Sequence, residues 1–275
     1  MDFVIVNDKI IAKNELNITP FIRESTFHLS CKIWFGFGGI PFFSKNRVVL
    51  LEQLNQLKLP VPSSLINERE LFRITKRMLN KNKFYRSGLI HLQLFCNGKD
   101  TNTLITSTPF EEFRFQFRKK GILLNYSNQK KFSNNTFNRY HFSNNGLWQI
   151  SEQEIADTHF GNSIILNEKN KVCECIYSNV FIIIKKVLIT PSLDSGCYQD
   201  ILRNEILELA AELDLDVHEK EMTEPADLLQ ADEIFIAGEG YGMDWILGLE
   251  KKRYVHHYSA IVHERLNELL QQKVL

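Results

Sequence analysis

Residues 164–203, IILNEKNKVCECIYSNVFIIIKKVLITPSLDSGCYQDILR, decide the fold. The runs SIILN, VCECIY, VFIII and VLITP are short, rich in β-branched residues and separated by polar turns, which predicts an antiparallel meander. Gly196 then opens a turn into DILRNEILELAAELDL, where Ile201, Ile206, Leu209, Ala210 and Leu213 fall on one side of an amphipathic helix. Toward the C-terminus, HEKEM reads as a strand, ADLLQA as a short helix and EIFIAG as a strand. The end, SAIVHERLNELLQQKVL, reads as a helix with Ile261, Leu266, Leu269 and Leu270 apolar.

Toward the N-terminus, LWQISEQEIADTH predicts a helix, and YSNQKKFSNNTFNRYHFSNN, rich in Asn and Ser with little periodicity, an extended loop. The first half is α+β. VIVNDKII gives two strands around the turn pair Asn7-Asp8, and CKIWFGFGGIPFF a strand, a turn and a second strand. A helix with Val48, Leu51, Leu54 and Leu57 or Leu59 apolar stops at Pro60 and Pro62. A second helix runs through ERELFRITKRMLNKN, and strands follow at GLIHLQLF, TLITS and FRFQF. The polar break Arg118-Lys119-Lys120-Gly121 divides a domain of residues 1–119 from one of residues 122–275. There is no internal repeat.

Thirty-three basic residues balance thirty-three acidic ones, so no net field favours nucleic acid or an anionic membrane surface. The start, MDFVIVNDKIIAKNEL, has no basic segment followed by a long apolar one, and no run approaches the ~20 apolar residues of a membrane span. The expectation is a cytoplasmic protein with no membrane partner. Five cysteines at irregular spacing read as reduced thiols. Cys173 and Cys175 lack the His/Cys partners of a zinc site, so they read as strand residues and no metal is expected.

The order Glu174, Asn179, Thr190-Pro191, Gly196 and Arg203, followed by LLQADEIFIAG, resembles the large domain of the class IV aminotransferase family, which includes aminodeoxychorismate lyases. In the first half, Arg23 with Phe27, then GGIPFF and a helix, resemble that family's small domain in order and length. The resemblance implies an α+β, two-domain fold: a small N-terminal domain, and a larger one with a barrel-like sheet. It further implies an active site between them, pyridoxal phosphate as cofactor, and a homodimer.

Pyridoxal-phosphate chemistry needs an uncharged lysine amine to hold the cofactor as a Schiff base. Counting back from IILN at the family's spacing, that position falls on His141 in RYHFSNNGLW, while Asn144 fits the motif. An imidazole moves protons but makes no stable Schiff base. Lys131 and Lys130, upstream in the same stretch, are the fallback amines. By the resemblance, Glu174 would meet the pyridine nitrogen; on the residues alone it reads rather as a solvent-facing or turn-capping strand residue. Asn179, Arg203, Ala237 and Gly238 complete the implied cofactor set. The family's phosphate arginine maps to Leu50, with Arg47 one turn away as its substitute. Around the second phosphate position a hydroxyl residue is replaced by Leu202 and a glycine by Asp200, which adds negative charge near a dianion. The family's Gly-Asp-Gly wall is His28-Leu29-Ser30.

The reading is therefore a family member without the Schiff-base lysine, a degenerate relative that takes a small molecule or anion in its interdomain cleft. Arg139, His141 and Arg203 are an anion-binding set for such a cleft. The alternative is an active lyase or transaminase that uses a displaced lysine.

Overall fold

The computed structural model describes residues 2–274, which form two compact units. The first runs up to Arg114 and is joined by the segment from Leu270 onward; the second is Phe115–Leu269.

The first unit opens with β1 (Phe3–Val6) and β2 (Lys9–Ala12). Asn7 and Asp8 turn between them at φ 43° and 67°, the left-handed pair that a two-residue hairpin requires. Then come α1 (Thr19–Glu24), β3 (Phe27–Phe35), α2 (Phe43–Gln56), α3 (Ser63–Ile66), α4 (Glu68–Lys81), β4 (Ser87–Cys96) and β5 (Thr101–Phe110). The strands make one antiparallel sheet in the order β2-β1-β5-β4-β3. Leu50 and Leu54 of α2 and Leu71, Ile74 and Met78 of α4 are buried, as are Leu29, Ile33, Ile90 and Leu92 of the sheet. Each such side chain contributes about 1.5–3 kcal/mol of hydrophobic stabilisation. GGIPFF forms a turn and the start of α2, not a second strand.

The second unit contains β6 (Ile122–Lys131), α5 (His141–Ile155), β7 (Asn162–Asn167), β8 (Val172–Cys175), β9 (Asn179–Ile184), β10 (Val187–Pro191), α6 (Ile201–Glu212), β11 (Asp216–Lys220), α7 (Pro225–Gln230), β12 (Glu233–Gly238), β13 (Gly242–Leu249), β14 (Lys252–Arg253) and α8 (His257–Gln272). The sheet order is β11-β10-β9-β12-β13-β6-β7-β8, with β14 on β13. A simple meander is thus not what forms: β12, β13 and β6 lie between β9 and β7. A Cys175–Ser178 bridge leads β8 straight into β9, and the sheet curls into a half-barrel around Ile164, Val180, Ile182, Ile234, Ile236 and Ile246.

Two other expectations change. The Asn- and Ser-rich stretch is not an extended loop, because its first part is the end of β6, paired in parallel with β7, and its last part begins α5. The FRFQF segment, despite its alternation, is no strand. Phe115 N donates to Asn267 Oδ1 at 2.9 Å and its carbonyl accepts from His263 Nε2 at 2.8 Å, so side chains of α8 take the bonds a neighbouring strand would make. Phe117 stacks on His263 with ring centroids 4.6 Å apart. These contacts bind residues 115–117 to the second unit and place the division at Arg114/Phe115, ahead of the Arg118–Gly121 break. The segment from Leu270, counted with the large domain in the sequence, belongs to the first unit.

Candidate functional site

Glu174 lies at the centre of β8, fully buried, and the polar groups of the second unit gather on it. A buried carboxylate is tolerated only where charge and hydrogen bonds compensate it. Its Oε2 lies 2.9 Å from the Lys131 ammonium and also accepts from Tyr198 N; its Oε1 accepts from Trp148 Nε1 at 2.7 Å. Lys131, last residue of β6, is 3% exposed, the one buried lysine among the described residues. A β-bulge sets its position: β6 spends Ser127, Asn128 and Gln129 where β7 spends only Ile165. Glu154 of α5 secures the bulge, accepting from Ser127 Oγ at 3.0 Å, Asn128 N at 3.0 Å and Gln129 Nε2 at 2.8 Å. Lys130 takes the other direction, exposed and bonded to Asn170.

His141 is the first residue of α5. Trp148, two helical turns on, lies on the same face, and the two rings meet edge to face at 5.3 Å. Tyr177 and Tyr198 complete an aromatic cluster at 6.4 and 6.3 Å from the imidazole. Asn144 holds the entry to the helix, donating from Nδ2 to Asn138 O at 2.7 Å and Tyr140 O at 2.8 Å. The structure therefore joins Lys131 to Glu174 directly and His141 to Glu174 through Trp148 and Tyr198, each of which contacts both.

Arg203 is 1% exposed and faces β10 and β11. It donates to Thr190 Oγ1 at 3.2 Å, Pro191 O at 2.7 Å and Glu219 Oε2 at 2.7 Å, while Thr190 donates to Val180 O at 2.8 Å. The Thr-Pro and Arg of the sequence pattern are thus one clasp between α6 and the sheet. Arg139 is exposed at the end of the turn before α5. Arg47, in the first unit, donates to Leu65 O at 2.7 Å and Ile66 O at 3.0 Å and pairs with Glu68 at 3.2 Å.

Asn179 opens β9, donating to Tyr198 O at 2.6 Å and accepting from Asp200 N at 3.3 Å. Ala237 and Gly238 end β12, with Ala237 in register with Asn179. The residue that sequence reading entered only as an unfavourable replacement, Asp200, is 6% exposed; its Oδ1 accepts from Leu202 N at 2.8 Å and Glu239 N at 2.9 Å. Burial raises its carboxyl to about 6. The thiols of Cys173 and Cys175 are raised by burial and then by the Glu174 charge, and that of Cys197 is raised by burial to about 11, so none is a ready thiolate. Among the described residues no His, Cys, Asp and Glu group has the makings of a metal site, and no helix is long and apolar enough to cross a membrane.

The sheet and helices that carry these residues have known relatives. The family model described as amino-transferase class IV matches residues 50–243. A probable branched-chain-amino-acid aminotransferase of Aquifex aeolicus is 25% identical over 290 residues, covering 98% of this chain and 91% of that protein. One of Thermotoga maritima is 32% identical over 126 residues; that match spans 46% of this chain and 45% of the relative, less than half its length. Among solved structures, the branched-chain amino acid aminotransferase from Escherichia coli superposes with a TM-score of 0.85 at 17% identity, over 100% of this chain and 96% of that one. The fold is shared from end to end, the family model covers well over half of the sequence, and the chain belongs to the amino-transferase class IV family.

Proposed function

We propose that this chain is a family member that does not carry pyridoxal phosphate as a Schiff base, and that it acts as a non-catalytic relative. The observation that carries this reading is the buried ion pair of Lys131 with Glu174. A Schiff-base amine must be free to approach an aldehyde, and the Lys131 nitrogen is instead held by the Glu174 carboxylate at 2.9 Å. The same pair places a cation where a pyridinium nitrogen would meet Glu174. His141, which stands where the family resemblance puts the lysine, supplies no amine. Arg47 spends its guanidinium on Leu65, Ile66 and Glu68. The residues present do not fit the cofactor.

A second reading has one observation in its favour. Lys131 is buried beside Glu174, so release of the ion pair would leave an amine near the family's cofactor carboxylate. The test is to mix the purified protein with pyridoxal phosphate, follow visible absorbance, reduce with borohydride and map the peptides by mass. The expected result is no new band and no stoichiometric adduct. A stoichiometric adduct on Lys131 would establish the second reading, a displaced-lysine lyase or transaminase, and defeat the first.

The family resemblance also supports a homodimer that takes a small molecule or anion as ligand. Light scattering should then give about twice the 32.1 kDa chain mass, and a monomer mass rejects the dimer.

A further inference from the structure

Two elements of the second unit aim backbone N–H groups at one point, and a carboxylate of the chain itself stands there. Asp200 caps α6 by accepting from Leu202 N at 2.8 Å, an ordinary role for an aspartate at that position. What is not ordinary is that the same oxygen accepts from Glu239 N, at 2.9 Å, beyond the end of β12. The side chain is 6% exposed, and no lysine or arginine is among the groups that act on its charge. The absence of a side chain at Gly238 makes room: a Cβ there would stand 2.6 Å from Tyr177 O and 3.4 Å from Asp200 Oδ2. Asn179 fixes the backbone of Asp200 from the third side by accepting its N–H at 3.3 Å.

Convergent main-chain donors at a helix N-terminus, backed by a second loop, form a concavity that favours small oxyanions. We propose that Asp200 is a built-in occupant of such a cup: its carboxylate takes the donors that a phosphate- or sulfate-sized anion would take and closes the cup to anions from solution. This stands apart from the Schiff-base question, because inorganic phosphate has no aldehyde and the cup contains no lysine.

The test compares wild type with D200G and D200N by melting temperature and titration calorimetry, in sodium phosphate or sulfate against sodium chloride of matched ionic strength. Glycine is tolerated as an N-cap and empties the cup, whereas asparagine fills it with a neutral amide of the same shape. Wild type and D200N should be insensitive to phosphate. D200G should gain about 4 °C at phosphate concentrations on the order of a hundred times its Kd. If D200G does not melt cooperatively, D200S, which keeps a capping hydroxyl but removes the carboxylate, is held to the same criterion. The proposal is overturned if the wild-type protein gains as much as the variant, or if the folded variant ignores phosphate.

Discussion

At Glu174 three donors meet one carboxylate, and only one of them carries charge. Lys131→Ala should therefore cost about 3–5 kcal/mol in urea denaturation, because it leaves a buried anion uncompensated. Adding E174Q to K131M should recover part of the loss of K131M alone, since the amide removes the stranded charge while still accepting from Trp148. Simple additivity of the two single losses would show that the pair is not coupled. Two other titratable groups oppose each other in acid. His91 is pushed down from 6.5 to about 4, first by burial and then by the charges of Lys32 and His28, so the unfolded chain takes up its proton first and stability falls as pH drops through that window. Asp200 is pushed up from 3.8 to about 6 by burial, so the folded chain takes up its proton first and this contribution grows as pH drops from about 6. Melting temperatures measured between pH 4 and 7 should fall more steeply on the acid side for D200N than for wild type, and less steeply for H91Q.

The β6 bulge is the element on which Lys131 depends. Without the three-for-one exchange opposite Ile165, the register past Tyr126 would change and a different residue would reach Glu174. Glu154→Ala removes the acceptor of Ser127, Asn128 and Gln129, and hydrogen exchange at Asn128 should rise at least about tenfold while Leu123–Tyr126 stay protected. Uniform exchange along β6 in the variant would show that Glu154 does not secure the bulge. This element also marks where sequence reading stops. β9, β10, β12, α6 and α8 were legible because each carries an unbroken apolar pattern, as in VFIII and EIFI. The end of β6 was not: its polar residues are satisfied from α5, across a bulge that erases the two-residue period. FRFQF misled in the opposite sense: it has the period, but its contact with a strand is a single bridge from Phe117 to Met243 of β13. Glu174, Asn179 and Arg203 were legible as a pattern, but the pattern did not say that Arg203 clasps Thr190 and Pro191, nor that Lys131 reaches Glu174. Spacing measures the chain, and a bulge changes what a given spacing reaches.

The whole molecule is not two consecutive halves, because α8 starts in the second unit and the chain finishes in the first. Val274 packs where a Cβ on Gly39 would stand, 2.4 Å from its Cγ1, and the Lys273 ammonium lies 5.7 Å from the Phe42 ring. Removing residues 270–275 should therefore open the Gly36–Phe42 turn, seen as faster proteolysis there, while the second unit keeps its protection. Equal cleavage in both forms would show that the tail contributes nothing to the turn. For a chain made from one end to the other, this closure has a consequence in time. The first unit leaves the ribosome early, yet its aromatic turn waits for residues that follow the large unit in the chain, so its final docking comes only after the large unit has been made.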